Sequence, residues 1–300
     1  QQEPDPDFPT VPFPNPEEKG AIDLAAKLAE QVEADLVIAN DPDADRCAAA
    51  IYDPRREGWR MLHGDELGLL LATYIADHRE VEGTFANSIV SSRSLGALAK
   101  ARGYASTQTL TGFKWIARAH NIAFGYEEAI GYCVLPDVVK DKDGMSAALA
   151  IAELAALTKA HGASLVDLLD DLARECGLYL TSQLSIRVSN LDRIGEMMTT
   201  LRTTPPSALA NSPVVDVRDL AEGSLETTGL PPTNGMFLLA EDDSRVIVRP
   251  SGTEPKLKAY LEVVSPIAAG ASFNDLSAAR ERAAEKLELM KKELSGLLGA

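Results

Sequence analysis

The feature that most constrains this sequence is a short apolar run that ends in alternating carboxylates. The run from Leu36 to Ala39 is long enough for a buried strand, and Asp41, Asp43 and Asp45 follow it almost at once. Carboxylates this close along the chain repel one another unless a cation lies between them, and hard oxygen ligands at the carboxyl end of a parallel strand suit Mg²⁺. The pattern predicts a metal-binding loop after a parallel strand, and a solvated acidic turn is the alternative.

Two other kinds of acidic loop can be compared with this stretch. An EF-hand has glycine at its sixth position and glutamate at its twelfth. Counted from Asp41, those positions hold Arg46 and Tyr52, so an EF-hand is a poor match. A phosphatase of the haloacid dehalogenase type also begins with a strand and Asp-x-Asp, with the first Asp as nucleophile. These residues alone leave that alternative open.

Composition and charge argue against several classes of protein. A chain of 300 residues with 45% hydrophobic residues is long enough for about two domains with real cores. Apolar runs are shorter than the roughly 18 residues of a membrane span, so we expect no membrane partner. The net charge of −16 argues against a nucleic-acid surface. Cys47, Cys133 and Cys176 lie far apart without metal or disulfide spacing, which favours a cytoplasmic setting.

The beginning of the chain resembles the end of a domain. Residues 1–53 hold 13 acidic residues against 3 basic ones, an excess that fits a cation site or contact with an absent basic neighbour. After a proline-rich stretch, Asn15-Pro16-Glu17 predicts the start of a helix with Leu24, Leu28 and Val32 on one face. One helix and one strand cannot bury both faces of that strand. We therefore predict that residues 1–53 complete a domain that begins outside this chain.

The rest of the chain changes pattern once. Strands and helices alternate from a polar turn at 53–58 to about residue 176, which predicts a mostly parallel sheet covered on both faces. After Gly177, four strand-like runs and two helices predict an α+β domain with an antiparallel sheet. The predicted fold class is thus α/β, with mixed α/β layered domains followed by an α+β C-terminal domain. The predicted domains are 1–53, 54–176 and 177–300.

Further stretches carry groups suited to phosphate or sugar binding. In the run Arg249 to Lys256, a guanidinium, the hydroxyls of Ser251 and Thr253, and backbone N–H groups around Gly252 could hold a dianion, with a polar hairpin turn as the alternative.

A second run, Gly125 to Tyr132, has adjacent carboxylates at Glu127 and Glu128 that could accept hydrogen bonds from sugar hydroxyls or could simply be solvated. Lys114 or Lys142 could meet a phosphate, although a lone lysine is more often a surface residue.

Three of these stretches together carry a resemblance. DPDADR, GYEEAIGY and RPSGTEPK, in this order, resemble the metal, sugar and phosphate loops of the α-D-phosphohexomutase superfamily, the phosphoglucomutases and phosphomannomutases. Members of that family have four domains around one cleft. The resemblance implies that this chain is the end of domain 2 followed by domains 3 and 4, and that its partners include the missing N-terminal domains of the same protein. It disfavours the dehalogenase alternative.

The resemblance also implies roles for individual residues. Mg²⁺ would be bound by Asp41, Asp43 and Asp45, and Arg46 would be the catalytic residue that faces the transferring phosphoryl group. The remaining candidates would bind the sugar phosphate: Glu127, Glu128, Lys114, Lys142, Arg249, Ser251, Gly252 and Thr253.

The implied activity is a Mg²⁺-dependent phosphoryl transfer between C1 and C6 of a hexose phosphate. It would use an enzyme phosphoserine and a sugar bisphosphate activator of the glucose 1,6-bisphosphate type. Ala129 stands where the family often has serine, and GYEEAIGY is closer to a branch with phosphopentomutase and glucose-1,6-bisphosphate synthase. That branch is the alternative.

The phosphoserine itself has no counterpart in the sequence. The family's TASHNP-like stretch does not occur here, and Ser91-Ser92 follows a strand of the predicted third domain. We therefore expect the full-length protein to be a mutase and this chain alone to be inactive. A non-catalytic phosphosugar-binding module is the alternative of another class.

Overall fold

A computed structural model describes residues 3, 5–11, 13–252 and 254–299. The chain forms two compact units. The first comprises Gln1–Ile89 and Leu95–Leu172, and the second comprises Val90–Ser94 and Ala173–Ala300. Among the residues described, none of the helices alone has both the length and the apolar composition of a membrane span. The division into three domains stays a prediction.

The first unit opens with a helix and a small antiparallel sheet, in strand order β1-β2-β3. The elements are α1 (Asp23–Gln31), β1 (Val37–Asn40), β2 (Cys47–Asp53) and β3 (Gly58–Met61). The prediction of a parallel strand before the acidic loop is wrong, because β1 pairs antiparallel with β2. A loop of six residues joins them directly, whereas parallel neighbours need a crossover of about a dozen residues or more.

The first helix also differs from the prediction. It begins at Asp23, well after Pro16, and its N-cap residue Ile22 makes no side-chain capping bond. The expected apolar stripe of Leu24, Leu28 and Val32 is about half exposed or more. The small side chain of Ala29 instead packs in the buried cluster that includes Val37 and Ala50. The four-residue spacing was therefore a correct sign of a helix but a wrong guide to its buried face.

A second sheet of the first unit, in order β5-β4-β6-β7, is parallel in its first three strands and antiparallel at β7. The predicted alternation of strands and helices is confirmed here. The helices and strands of this part of the chain are α2 (Gly64–His78), β4 (Thr84–Ser88), α3 (Ser94–Ala101), β5 (Ala105–Thr109), α4 (Phe113–Ile116), β6 (Ile122–Glu127), β7 (Gly131–Cys133), α5 (Gly144–Ala160) and α6 (Leu165–Cys176).

The second unit carries the predicted antiparallel sheet, in order β8-β13-β12-β11-β10-β9. The last helix is predicted to carry one apolar stripe, because six apolar residues recur at steps of three and four: Leu276, Ala279, Ala283, Leu287, Met290 and Leu294. The prediction is confirmed, since all six are buried against this sheet or its ends. The elements are β8 (Leu178–Arg187), α7 (Asp192–Thr203), β9 (Ala208–Leu209), β10 (Ser212–Asp219), α8 (Leu225–Thr228), β11 (Met236–Ala240), β12 (Arg245–Pro250), β13 (Lys256–Ser265) and α9 (Phe273–Leu298).

A buried ionic cluster fixes the short segment Val90–Ser94 within the second unit. The Glu262 carboxylate is fully buried and accepts hydrogen bonds from the Ser92 hydroxyl at 2.9 Å and from the Arg93 main-chain N–H at 2.7 Å. The Arg93 guanidinium lies 2.5 Å from it and the buried Arg245 guanidinium lies 3.4 Å from it. Ser92 is therefore a structural residue in this cluster.

We expect Glu262→Gln to lower the free energy of unfolding of the second unit by about 3 kcal/mol at neutral pH, because both guanidinium groups lose their buried partner. Burial by itself would raise the pKa of Glu262, but Arg245 and Arg93 hold that pKa below the usual glutamate value. The ionised carboxylate therefore stabilises the fold at any pH above the usual pKa of glutamate. This contribution is lost as the pH falls through the depressed pKa of the folded state.

The measurement is native-state hydrogen exchange of the β12 and β13 amides in both proteins, at neutral pH and at about pH 4. The matched control is Glu285→Gln, which removes an exposed carboxylate on α9. Equal protection in the Glu262 and Glu285 variants at neutral pH would contradict this account.

Candidate functional site

The acidic loop is a compact turn between β1 and β2. The Ala44 backbone is left-handed with φ of 56°, and its N–H donates to the Asp41 carbonyl. This fold brings carboxylate oxygens of Asp41, Asp43 and Asp45 within 4.8 Å of one another. The Arg46 main-chain N–H donates to Asp41 Oδ1 at 3.0 Å, and the Asn40 side-chain amide donates to the Arg46 carbonyl at 2.6 Å. The loop is thus held closed at both ends.

Charge in the loop is unbalanced. Burial, together with repulsion from Asp45 and Asp43, raises the pKa of Asp41 even though Arg46 opposes the shift. The Arg46 Nε lies 3.7 Å from Asp41 and 3.8 Å from Asp45, too far for hydrogen bonds. Several hard carboxylate oxygens around one point, with incomplete compensation, form a donor set that fits Mg²⁺.

Two other segments of the first unit hold this loop in place. The Cys47 N–H donates to the Ile130 carbonyl at 3.0 Å, which joins the start of β2 to the turn between β6 and β7. The Gly144 N–H donates to the Ala44 carbonyl at 3.1 Å. A Cβ added at Gly144 would lie 2.2 Å from the Arg46 carbonyl oxygen, so only glycine allows this approach. The predicted metal loop and the predicted sugar loop are therefore in direct contact.

The predicted sugar loop directs its two glutamates to different partners. Glu127 Oε1 accepts a hydrogen bond from the Gly112 main-chain N–H at 2.6 Å. Glu128 Oε2 accepts one from the Ser88 hydroxyl at 3.1 Å. Ile130 has a φ of 54°, an unusual conformation for a β-branched residue, and its side chain is fully buried. The turn is thus held in a defined shape by its surroundings.

The two predicted lysines lie in different surroundings. Lys114 is exposed on the short helix α4, two residues after Gly112. Lys142 is mostly buried, and its Nζ lies 2.7 Å from Asp45 Oδ2. The structure therefore brings Lys142 to the acidic loop and leaves Lys114 beside the turn that Glu127 contacts.

The predicted phosphate loop joins β12 to β13 in the second unit. Its ends are closed by the Ser251 N–H, which donates to the Lys256 carbonyl at 2.8 Å. Lys256 pairs with Glu254 at 2.7 Å, and Arg249 stands opposite Lys258 in the strand register. Within the described part of the chain, the Arg249 guanidinium makes no hydrogen bond or ion pair. A Cβ at Gly252 would meet nothing within 4 Å, and Thr253 lies outside the described residues.

Three family models match the chain in order. Residues 1–54 match phosphoglucomutase/phosphomannomutase alpha/beta/alpha domain II, residues 63–176 match alpha/beta/alpha domain III, and residues 209–277 match the C-terminal domain of the same family. This chain belongs to the phosphohexomutase superfamily. Membership of this superfamily argues against the alternative that the acidic loop belongs to a phosphatase of the haloacid dehalogenase type.

Relatives of the chain carry several mutase names. A probable phosphomannomutase of Haemophilus influenzae is 46% identical over 260 residues, which cover 86% of this chain and 52% of that protein. A phosphoribomutase of Saccharomyces cerevisiae is 35% identical over 314 residues, with 91% and 50% covered. The chain spans about half the length of these curated relatives.

The fold agrees with a solved phosphohexomutase. The crystal structure of the Paramecium phosphoglucomutase pp63/parafusin, in its open form, has a TM-score of 0.66 at 20% identity. The match covers 96% of this chain and 51% of that one. At this identity, the likeness supports the fold alone.

Some residues that shape the candidate site were not predicted from the sequence. The buried hydroxyl of Tyr132 donates to the Gly64 carbonyl at 3.0 Å, and that of Tyr126 donates to Asp65 at 2.8 Å. A Cβ at Gly64 would lie 1.8 Å from the Glu128 carbonyl oxygen. These contacts join residues far apart in sequence, so no local pattern marks them. Asn40 is different, because an amide directly before the acidic run is a recognisable sign of a loop-closing side chain.

We expect Gly144→Ala to lower the free energy of unfolding of the first unit by about 1–3 kcal/mol, because the new methyl group must push the Arg46 carbonyl away. Urea unfolding followed by tryptophan fluorescence measures this, since both tryptophans, Trp59 and Trp115, lie in the first unit. The control is Gly96→Ala in α3, where the nearest atom would be 3.7 Å away and alanine favours the helix. Equal stabilities of the two variants would show that the loop tolerates the methyl group.

Proposed function

We propose that this chain is part of a sugar-phosphate mutase of the phosphohexomutase type. One observation carries the proposal: the acidic loop, the Glu127 turn and the start of α5 are joined by main-chain hydrogen bonds from Cys47 to Ile130 and from Gly144 to Ala44. Groups suited to a cation, to sugar hydroxyls and to a phosphate are thus held in one part of the first unit. A cytoplasmic setting is part of the proposal.

The proposed reaction moves a phosphoryl group in two transfers. In the first, the phosphorus–oxygen bond of an enzyme phosphoserine breaks as a bond to a sugar hydroxyl oxygen forms, and the hydroxyl proton replaces the phosphoryl group on the serine. The bisphosphate then turns around, and the second transfer returns the other phosphoryl group to the serine. The serine is expected in a part of the protein outside this chain. A sugar bisphosphate of the glucose 1,6-bisphosphate type would prime the enzyme by phosphorylating it.

The first unit would supply the groups near the transferring phosphoryl. Asp41, Asp43 and Asp45 would hold Mg²⁺, which would stabilise the charge that develops on the phosphoryl oxygens. Arg46 would donate hydrogen bonds to the same phosphoryl group, since its guanidinium has no close hydrogen bond to either neighbouring carboxylate.

Candidate substrate-binding residues occur in each of the two units. Glu127 and Glu128 would accept hydrogen bonds from sugar hydroxyls, and the exposed ammonium of Lys114 would lie near the same sugar. In the second unit, Arg249 would bind the phosphate that does not react, because its guanidinium is uncompensated within the described residues. Ser251, Gly252 and Thr253 would add loop donors to that phosphate.

A hexose 1-phosphate is the substrate we propose, and the H. influenzae relative named as a probable phosphomannomutase supports it. A pentose phosphate is a second candidate. The observations that favour it are the turn sequence GYEEAIGY with Ala129 and a relative named phosphoribomutase.

The test is mutase activity of the full-length protein with Mg²⁺ and a bisphosphate activator, on glucose 1-phosphate, mannose 1-phosphate and ribose 1-phosphate side by side. We expect a hexose to give the highest kcat/KM. A preference for ribose 1-phosphate would move the protein to the pentose branch. Absence of turnover on all three, with the phosphoserine verified by mass spectrometry, would contradict the proposal.

Asp43→Asn should lower kcat/KM of the full-length protein by about 10²-fold or more, because it removes a charge that holds the cation at the reacting phosphoryl group. The matched control is Asp137→Asn, an exposed carboxylate of the same unit. Similar activities of the two variants would remove the acidic loop from the mechanism.

The chain alone should show no mutase turnover but should retain weak affinity for glucose 1-phosphate. Arg249→Ala should weaken that affinity by about tenfold, since a charge-assisted contact to phosphate is lost. Isothermal titration with inorganic phosphate and glucose 1-phosphate measures this. Arg193→Ala on α7 is the control, and turnover by rigorously purified chain would contradict the first expectation.

A further inference from the structure

Lys142 is the cation held most firmly against the acidic loop in the described structure. Its Nζ lies 2.7 Å from Asp45 Oδ2, whereas Asp141 is 3.9 Å away. The aliphatic stem is packed so closely against Gly131 that a Cβ there would lie 2.5 Å from the Lys142 Cδ. The ammonium is also 5.6 Å from the centre of the Phe113 ring. These contacts direct the ammonium at one of the three carboxylates.

The position of this ammonium conflicts with full occupation of the loop by a divalent cation. The Asp45 oxygens belong to the group of carboxylates that approach within 4.8 Å of one another. An ammonium in hydrogen-bond contact with one of them repels a second cation bound to the same group. Lysine is a compact point charge on a flexible stem, so it can leave one anion and reach another by bond rotations alone.

We propose that Lys142 and the divalent cation compete for Asp45, so that cation binding releases the Lys142 ammonium to bind the phosphate of the substrate. This inference rests on the proposed function of the acidic loop. It makes Lys142 a positioning residue that couples the two sites: the cation raises the affinity for phosphate and, by reciprocity, phosphate raises the affinity for the cation. A lysine that only stabilised the fold would produce no such coupling.

Titration of this chain with Mn²⁺, followed by the electron paramagnetic resonance signal of free Mn²⁺, tests the competition. We expect Lys142→Gln to bind Mn²⁺ about fivefold or more tightly than the unchanged chain. Lys140→Gln removes the same charge from an exposed position two residues away and should change the affinity less than about twofold. Unchanged or weaker binding by the Lys142 variant would overturn the proposal.

Release of the ammonium can be measured directly by competitive acetylation with acetic anhydride and mass spectrometry of the lysine-containing peptides. Mg²⁺ should raise labelling of Lys142 several-fold and leave Lys140 unchanged. Inorganic phosphate added with Mg²⁺ should protect Lys142 again. Labelling of Lys142 that does not respond to Mg²⁺ would show that the ammonium stays with Asp45.

The Asp43→Asn variant separates failure of this inference from failure of the proposed function. If Mn²⁺ binds the unchanged chain, is lost in Asp43→Asn and is unaffected by Lys142→Gln, the metal loop stands and the competition is wrong. If no variant binds Mn²⁺ saturably, or if Asp43→Asn leaves Mn²⁺ affinity unchanged, both the competition and the proposed role of the acidic loop are overturned. Binding seen only in the Lys142 variant would support the competition in its strongest form.

Discussion

Repulsion among three carboxylates is the constraint on which the first unit depends. Asp41, Asp43 and Asp45 would spread apart in a free peptide, yet the fold keeps their oxygens within 4.8 Å of one another. The forces that oppose this spreading are main-chain contacts: a left-handed residue inside the loop, and hydrogen bonds that close it on Asn40 and Arg46. The raised pKa of Asp41 reflects the remaining imbalance. The main chain thus holds the three carboxylates close together before any cation binds.

Close approach of main chains is what makes that arrangement possible. Gly144 lies against the Arg46 carbonyl and Gly64 against the Glu128 carbonyl, each at a distance that excludes a side chain, while Gly131 lies against the flexible stem of Lys142. The N-terminus of α2, the β6–β7 turn and the acidic loop therefore form a continuous layer of contacts. Substitution of any of these glycines should displace the carboxylates, although none of the glycines carries a functional group.

Prediction from the sequence succeeded where the signal was local. The stripe of α9 and the change to an antiparallel sheet follow from spacings within one segment, and both are confirmed. The pairing of β1 with Cys47–Asp53 was missed because an alanine-rich run has little strand propensity of its own. At the site, residue types suggested the chemistry, but the Lys142–Asp45 and Glu127–Gly112 contacts depend on how distant segments meet.

The candidate site residues of the two units differ in how far nearby charges of the protein compensate them. In the first, the acidic loop is partly neutralised by the protein's own cations, with Lys142 close to Asp45 and Arg46 further away. In the second, Arg249 has no such compensation within the described residues, although the chain as a whole carries a net charge of −16. An uncompensated guanidinium in an acidic protein favours the binding of an anionic ligand, and crowded carboxylates favour the binding of a cationic one. The uncompensated groups of the first unit therefore favour a cation, and those of the second unit favour an anion.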